Sequence, residues 1–303
     1  VANLPFLRWL SPQDLSKVAQ LQLFAKGVVE GLSGGMHRSR HVGASIQFKE
    51  HRPYVHGDET RNIDWKLFGK TDRLYIRQYE DETNLRCTIA VDQSGSMRYA
   101  GSRSKGLSKH EFSVRLAAAL AYMLINQQDA VGLATFDSRV RAYIPPRSRP
   151  NHLQLLFETL AASESGNETD LSLVLQRLLQ QCKRRGMLIL LSDCFGEPAS
   201  VVSSLALLRK NDQEVIVFQI WDDDELDFPF QSKTMFQSLE MPTSEMTVEP
   251  LRVRAQYLKN LECFREELKT GCAQHRIELI PVRTSQSFSS VLTNYLAQRG
   301  GAR

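Results

Sequence analysis

Thr88-Ile89-Ala90-Val91-Asp92-Gln93-Ser94-Gly95-Ser96 is a short β-branched and apolar run that ends in a polar, glycine-containing turn. Such a run reads as a buried strand delivering the chain into a loop. The loop places a carboxylate and two hydroxyls at alternate positions, Asp92, Ser94 and Ser96. These are hard oxygen donors, suited to Mg²⁺ or Mn²⁺ rather than to zinc or copper. Gly95 allows the tight turn that lets alternate side chains converge. Open α/β sheets place their ligands at the carboxyl ends of parallel strands. The stretch therefore predicts a fold class and a site together.

Working outward, apolar runs alternate with helical spacings from Arg86 onward. Strands are expected at about 87–91, 130–136, 187–192, 214–220 and 277–282. Helices are expected at about 109–126, 151–162, 171–183, 200–210, 249–274 and 288–298. Residues 140–144 read as an edge strand stopped by Pro145-Pro146. This alternation predicts an α/β domain over 86–303, a mainly parallel sheet with helices on both faces. It pauses at about 221–250, read as an insertion of two short strands. Asp222-Asp223-Asp224-Glu225, inside that insertion, reads as a solvated acidic loop.

Residues 1–85 read as a smaller N-terminal segment. Ser11 is a plausible N-cap and Pro12 suits the first helical position. Leu15, Val18, Leu21 and Leu23 supply an apolar face to about Val29, and Gly31 to Gly35 breaks it. Short half-exposed strands follow, as in Arg73-Leu74-Tyr75-Ile76-Arg77-Gln78-Tyr79, where apolar and polar residues alternate. Trp65 is expected to be a buried anchor.

Composition bounds the function classes. The chain has 303 residues, 42% hydrophobic and 24% charged, enough to bury a core. A formal net charge of +4 is too small to argue nucleic-acid binding by itself. Five cysteines without a C-x-x-C pair fit reduced thiols, not a disulfide framework. Leu116–Ile125, the longest apolar stretch, is too short to span a bilayer. Val1–Leu10 lacks the pattern of a secretory leader. A cytoplasmic protein without a membrane span is the expectation.

Two resemblances sharpen these readings. The D-x-S-x-S of Asp92, Ser94 and Ser96 resembles the metal-ion-dependent adhesion site (MIDAS) of von Willebrand factor A domains. In that family a Thr and an Asp from two later loops complete the site. Thr169, in Gly166-Asn167-Glu168-Thr169-Asp170-Leu171, and Asp193, after Leu188-Ile189-Leu190-Leu191-Ser192, stand at the matching places. The segment before the loop resembles the signature of the bacterial domain of unknown function 58 family. Arg52, Tyr54, Gly57, Asp58, Arg61, Asp64 and Trp65 carry it, followed by Leu74-Tyr75-Ile76-Arg77-Gln78-Tyr79. That resemblance covers most of residues 35–285. Together they imply a von Willebrand factor A-like (Rossmann-like) fold and Mg²⁺ (or Mn²⁺) held by Asp92, Ser94, Ser96, Thr169 and Asp193. They also imply a chaperone-like, non-enzymatic accessory role beside a MoxR-type AAA+ ATPase, acting on an unknown protein client through protein–protein interaction.

Two other classes fit less well. A Mg²⁺-dependent phosphohydrolase of the aspartyl-phosphate kind needs a second carboxylate where Ser94 stands, and no Gly-rich loop with a following Lys-Ser or Lys-Thr is present. A nucleic-acid-binding module would use the basic, aromatic stretch 37–79. There Asp58, Glu59, Asp64, Asp72 and Glu80 are mixed among the Arg, Lys and His residues, which favours local charge pairing. The histidines show no zinc spacing.

Overall fold

The central strands are buried at nearly every position, and alternate side chains along them face opposite sides of the sheet. The computed structural model describes residues 12–35, 48–55, 63–79, 85–164, 166, 170–182, 184–239 and 245–300. It falls into two compact units: residues 39–84, and the rest of the chain.

The larger unit is a mixed α/β structure. Its elements in order are α1 (Pro12–Gly35), β3 (Arg86–Asp92), α3 (Lys109–Asn126), β4 (Ala130–Phe136), β5 (Val140–Arg147), α4 (Pro150–Ala161) and α5 (Leu171–Gln181). There follow β6 (Gly186–Ser192), α6 (Pro198–Lys210), β7 (Gln213–Trp221), α7 (Asp223–Asp227), β8 (Thr234–Gln237), β9 (Glu245–Val248), α8 (Pro250–Gln274), β10 (Glu278–Arg283) and α9 (Phe288–Gly300). The smaller unit holds β1 (Phe48–Pro53), α2 (Trp65–Thr71) and β2 (Tyr75–Tyr79).

Six strands form one sheet in the order β10-β7-β6-β3-β4-β5. All neighbouring pairs are parallel except the antiparallel β4–β5 edge. The pleat sends Ile89 and Val91 into one core with residues of α1, α3, α4 and α9. It sends Ala90 into the other, with residues of α5, α6 and α8. Both faces are covered, which is why β3, β4 and β6 read as continuous apolar runs. From β3 the chain crosses to β4 on one side, and from β6 to β7 on the other. The chain therefore leaves β3 and β6 toward opposite sides of the sheet, which is the switch point in strand order.

Four expectations about the larger unit are corrected. The α1 helix belongs to the α/β unit, not to the N-terminal segment 1–85. Val18, Leu21 and Ala25 are buried in the core beside α3, and Phe24 meets Phe288 edge to face at 4.9 Å. This helix also continues through Gly31 to Gly35. The β5 strand runs through Pro145-Pro146 to Arg147, because an edge strand can spare N–H groups. Asp222–Glu225 is not a solvated loop: Asp222 caps α7, and Asp222, Asp223 and Asp224 are buried. The expected insertion is otherwise seen as the antiparallel β8–β9 hairpin.

In the smaller unit β1 and β2 pair antiparallel, with Arg52 opposite Ile76. Asp64 caps α2, its Oδ1 accepting from the N–H groups of Lys66 and Leu67 at 3.0 and 3.1 Å. Trp65 opens that helix and is 61% exposed, so it is no buried anchor. Gly57, Asp58 and Arg61 lie outside the described residues, as does much of the basic stretch 37–79. Among the described residues no helix is long and apolar enough to cross a membrane.

Candidate divalent-cation site

Asp92 and Asp193 leave the ends of adjacent parallel strands, where Val91 lies beside Leu191 in register. Each is 2% exposed. The loop after β3 turns back at once: the Ser94 N–H donates to Asp92 Oδ1 at 2.8 Å, and Gly95–Arg98 form a 3₁₀ turn. This turn brings the Ser94 and Ser96 hydroxyls to 3.0 Å from one another. Ser192, just before Asp193, donates its hydroxyl to Asp92 Oδ2 at 2.6 Å and accepts from the Cys194 N–H at 2.9 Å. On the other carboxylate, Asp193 Oδ1 accepts from the Phe195 N–H at 3.1 Å. Cys194 between them holds a left-handed φ of 58°, a strained conformation for a residue with a side chain.

Burial raises the pKa of Asp92 from its ordinary 3.8 to about 7, and the neighbouring Asp193 charge adds to the rise. Hydrogen bonds from Ser192 and Ser94 work the other way. Two carboxylates with two hydroxyls are an oxygen donor set of the kind Mg²⁺ takes, and a divalent ion would relieve the repulsion between the acids. The residues present thus fit such an ion. Among the described residues no three His, Cys, Asp or Glu side chains cluster to hold a metal. The structure brings Asp92, Ser94, Ser96 and Asp193 together. Thr169 lies outside the described residues.

Several site residues escaped the sequence reading. Lys109 is completely buried, its Nζ 2.9 Å from Asp193 Oδ2 and 2.6 Å from Glu225 Oε1. A sequence signal for it existed. Lys109 is the first residue of α3, after Ser108, whose side chain and Glu111 form a capping box. A cation there opposes the helix dipole, so it must answer to something beyond its own helix. Burial alone would lower the Lys109 pKa, but the Asp193 and Glu225 charges outweigh it and raise it. Phe195 lies against the same ammonium, 5.3 Å from ring centroid to Nζ, and stacks on Phe264 at 5.8 Å.

The acidic run holds the loop that enters α3. Asp222 Oδ2 accepts from the Gly101 N–H at 3.0 Å and from Thr284 Oγ1 at 3.0 Å. Asp224 accepts from the Ser102 N–H at 2.8 Å and its hydroxyl at 3.0 Å. Arg283 pairs with Asp223 at 3.1 Å. The sequence clue was Asp222-x-x-Glu225, a capping box in its own right. Burial, then the charges of Asp224, Asp222 and Glu225, lift the Tyr99 phenol to about 12.

Comparison with known proteins adds relatives. Residues 50–267 match the family described as "Protein of unknown function DUF58". An uncharacterized protein of Mycobacterium tuberculosis, Rv1480, is 22% identical over 292 residues, covering 95% of this chain and 90% of its own. Its counterpart in Mycobacterium bovis, Mb1516, matches to the same extent. Among solved structures, the conserved hypothetical protein BatB of Bacteroides thetaiotaomicron is 14% identical with a TM-score of 0.48, covering 72% of this chain and 100% of its own. An aerotolerance-related membrane protein of Bacteroides fragilis is 15% identical with a TM-score of 0.44, covering 71% and 99%.

Proposed function

The chain belongs to the DUF58 family, and on that footing we propose that it is a non-enzymatic adaptor that docks a partner's carboxylate on a divalent cation. The observation that carries the reading is the pair Asp92 and Asp193: two buried acids at the ends of neighbouring parallel strands, with Ser94 and Ser96 beside them. On this reading the sheet is von Willebrand factor A-like, and Asp92, Ser94, Ser96, Thr169 and Asp193 hold Mg²⁺ or Mn²⁺. A bound Mg²⁺ would keep an exchangeable coordination position, which an acidic side chain from outside can take.

This chain's own residues do the rest. The Ser192 hydroxyl and the Ser94 N–H fix both oxygens of Asp92, so the carboxylate is oriented before anything binds. Half-exposed Phe195 lies two residues from Asp193 at the rim, offering a partner an apolar contact next to the charged one. Hydrolysis is disfavoured by the donor set, which has Ser94 in the place of a second acid or base. The partner proposed is a MoxR-type AAA+ ATPase, with a protein client, in the cytoplasm.

The test is calorimetric titration of Mg²⁺ and Mn²⁺ into the wild type and Asp92→Ala, alone and with a cognate MoxR-type ATPase. Heat in the wild type alone, with ATPase capture reversed by chelator, is the expected result. Capture that is indifferent to chelator and to Asp92→Ala would end the metal-docking reading.

A further inference from the structure

We infer that Lys109 is a built-in counter-ion of the cation site, which competes with a divalent metal for Asp193 and so sets how tightly that metal is held. The inference rests on the cation-site reading above and deepens it, since that reading by itself calls for no ammonium among the carboxylates.

The ammonium is fixed rather than swinging. Its backbone is anchored on both sides: the Lys109 N–H donates to Tyr99 O at 2.9 Å, and Ser113 Oγ donates to Lys109 O at 2.8 Å. At its tip Nζ is shared between Asp193 Oδ2 and Glu225 Oε1, with the Phe195 ring beside it. Glu225 is itself held. Its Oε2 accepts from the Asp222 N–H at 2.9 Å, and its carbonyl accepts from Tyr257 Oη at 2.8 Å. Nothing in this arrangement lets Lys109 leave without stranding a buried charge.

Asp193 is consequently engaged at both oxygens, by Lys109 at Oδ2 and by the Phe195 N–H at Oδ1. A metal reaching Asp193 either shares Oδ2 with the ammonium or takes a remaining lone pair of the same carboxylate beside it. Either way two cations repel across a short, poorly solvated gap, and affinity falls. The balance of charge agrees. With all acids ionised, Asp92, Asp193 and Glu225 against Lys109 leave two negative charges, which one divalent ion neutralises. Lys109 keeps the fold tolerable without metal and yields part of Asp193 when metal arrives.

Glu225 makes Lys109 a link as well as a competitor. It joins the ammonium to α7, which through Asp222 and Asp224 grips the loop at Gly101 and Ser102.

The experiment is Mn²⁺ titration of the full chain as wild type, Lys109→Met, Glu225→Gln and Asp92→Asn, with thermal unfolding of each in chelator and in saturating Mn²⁺. Lys109→Met should bind Mn²⁺ about tenfold or more tightly than the wild type, since a like charge is gone from a poorly solvated site. Its melting temperature should drop in chelator and recover with Mn²⁺ by more than the wild type gains. Glu225→Gln, which leaves Lys109 to Asp193 alone, should bind more weakly, and it keeps the test alive if Lys109→Met does not fold. A silent wild type with a binding Lys109→Met also supports the inference. Equal or weaker binding by Lys109→Met, or unchanged binding by Glu225→Gln, overturns it. Loss of binding in Asp92→Asn separately upholds the cation site. Binding that neither Asp92→Asn nor Lys109→Met alters, or none in any variant, overturns both.

Discussion

The guanidinium of Arg98 donates to the carbonyl of Gly166 at 2.6 Å, tying the turn that carries Ser94 and Ser96 to the segment that precedes Thr169. Gly166 is held again by its N–H, which donates to Gln93 O. A Cβ at Gly166 would run into the Asp137 carboxylate, so the close approach requires glycine. Two loops far apart in sequence are thus pinned at one point beside the site.

Arg98→Ala should therefore loosen the 163–170 segment and weaken Mn²⁺ binding about fivefold, the equivalent of roughly 1 kcal/mol for an exposed charge-assisted hydrogen bond. Calorimetry gives the affinity, and limited proteolysis across 163–170 gives the loosening. Unchanged affinity would mean that this contact plays no part in shaping the site.

Gly101 meets the acidic run at close quarters. A Cβ there would sit 1.9 Å from Asp222 Oδ1 and 2.8 Å from Asp224 Oδ2. Gly101→Ala should destabilise the protein by about 1–3 kcal/mol, as overpacking of a filled site does. Urea unfolding measures it, and a neutral outcome would show the Asp222–Gly101 contact to be slack.

Stability without metal should fall as pH rises through the acid-to-neutral range. Folded Asp92 titrates near 7 and its ordinary value is 3.8. Between those values the folded chain keeps a proton that the unfolded chain has released, so rising pH favours unfolding there, and the effect levels off above about 7. Asp92→Asn should flatten this slope, and saturating Mn²⁺ should do the same in the wild type. Metal affinity should rise over the same range. Thermal melts in chelator from pH 5 to 8 (a window chosen to bracket roughly the Asp92 titration) check the sign.

The cysteines offer an independent check of the fold. Cys87, Cys182, Cys194 and Cys272 are buried and Cys263 is exposed. Burial pushes the Cys272 thiol to about 11 and Cys194 well above the usual range. A thiol reagent at neutral pH should label Cys263 rapidly and the other four only on unfolding. Counting labels by mass, native against denatured, decides it.

The sheet could be read because its causes are local. Ile89 and Val91 against Ala90, and Leu188 and Leu190 against Ile189 and Leu191, alternate with the pleat and divide between two cores. The helices α3 and α8 followed from apolar residues at helical spacing. The smaller unit was less legible: α2 was hidden in a stretch where short strands dominated, and Trp65 proved exposed. The acidic run misled because a row of four acidic residues normally seeks water. Only the approach of Gly101, Ser102, Thr284 and Arg283 shows what it is for.

Sequence alone determined the strand-and-loop unit around Asp92, the kind of donor atoms it offers, and the α/β alternation. Each of these follows from side-chain periods and turn chemistry that operate over a few residues. Tertiary structure decided which charges meet. Lys109 stands 84 residues from Asp193 and 116 from Glu225, and the crossovers of the sheet make them neighbours. Water is excluded from Asp92 only once β3, β6 and their covering helices have assembled. Its elevated pKa belongs to the folded molecule and to no stretch of the chain.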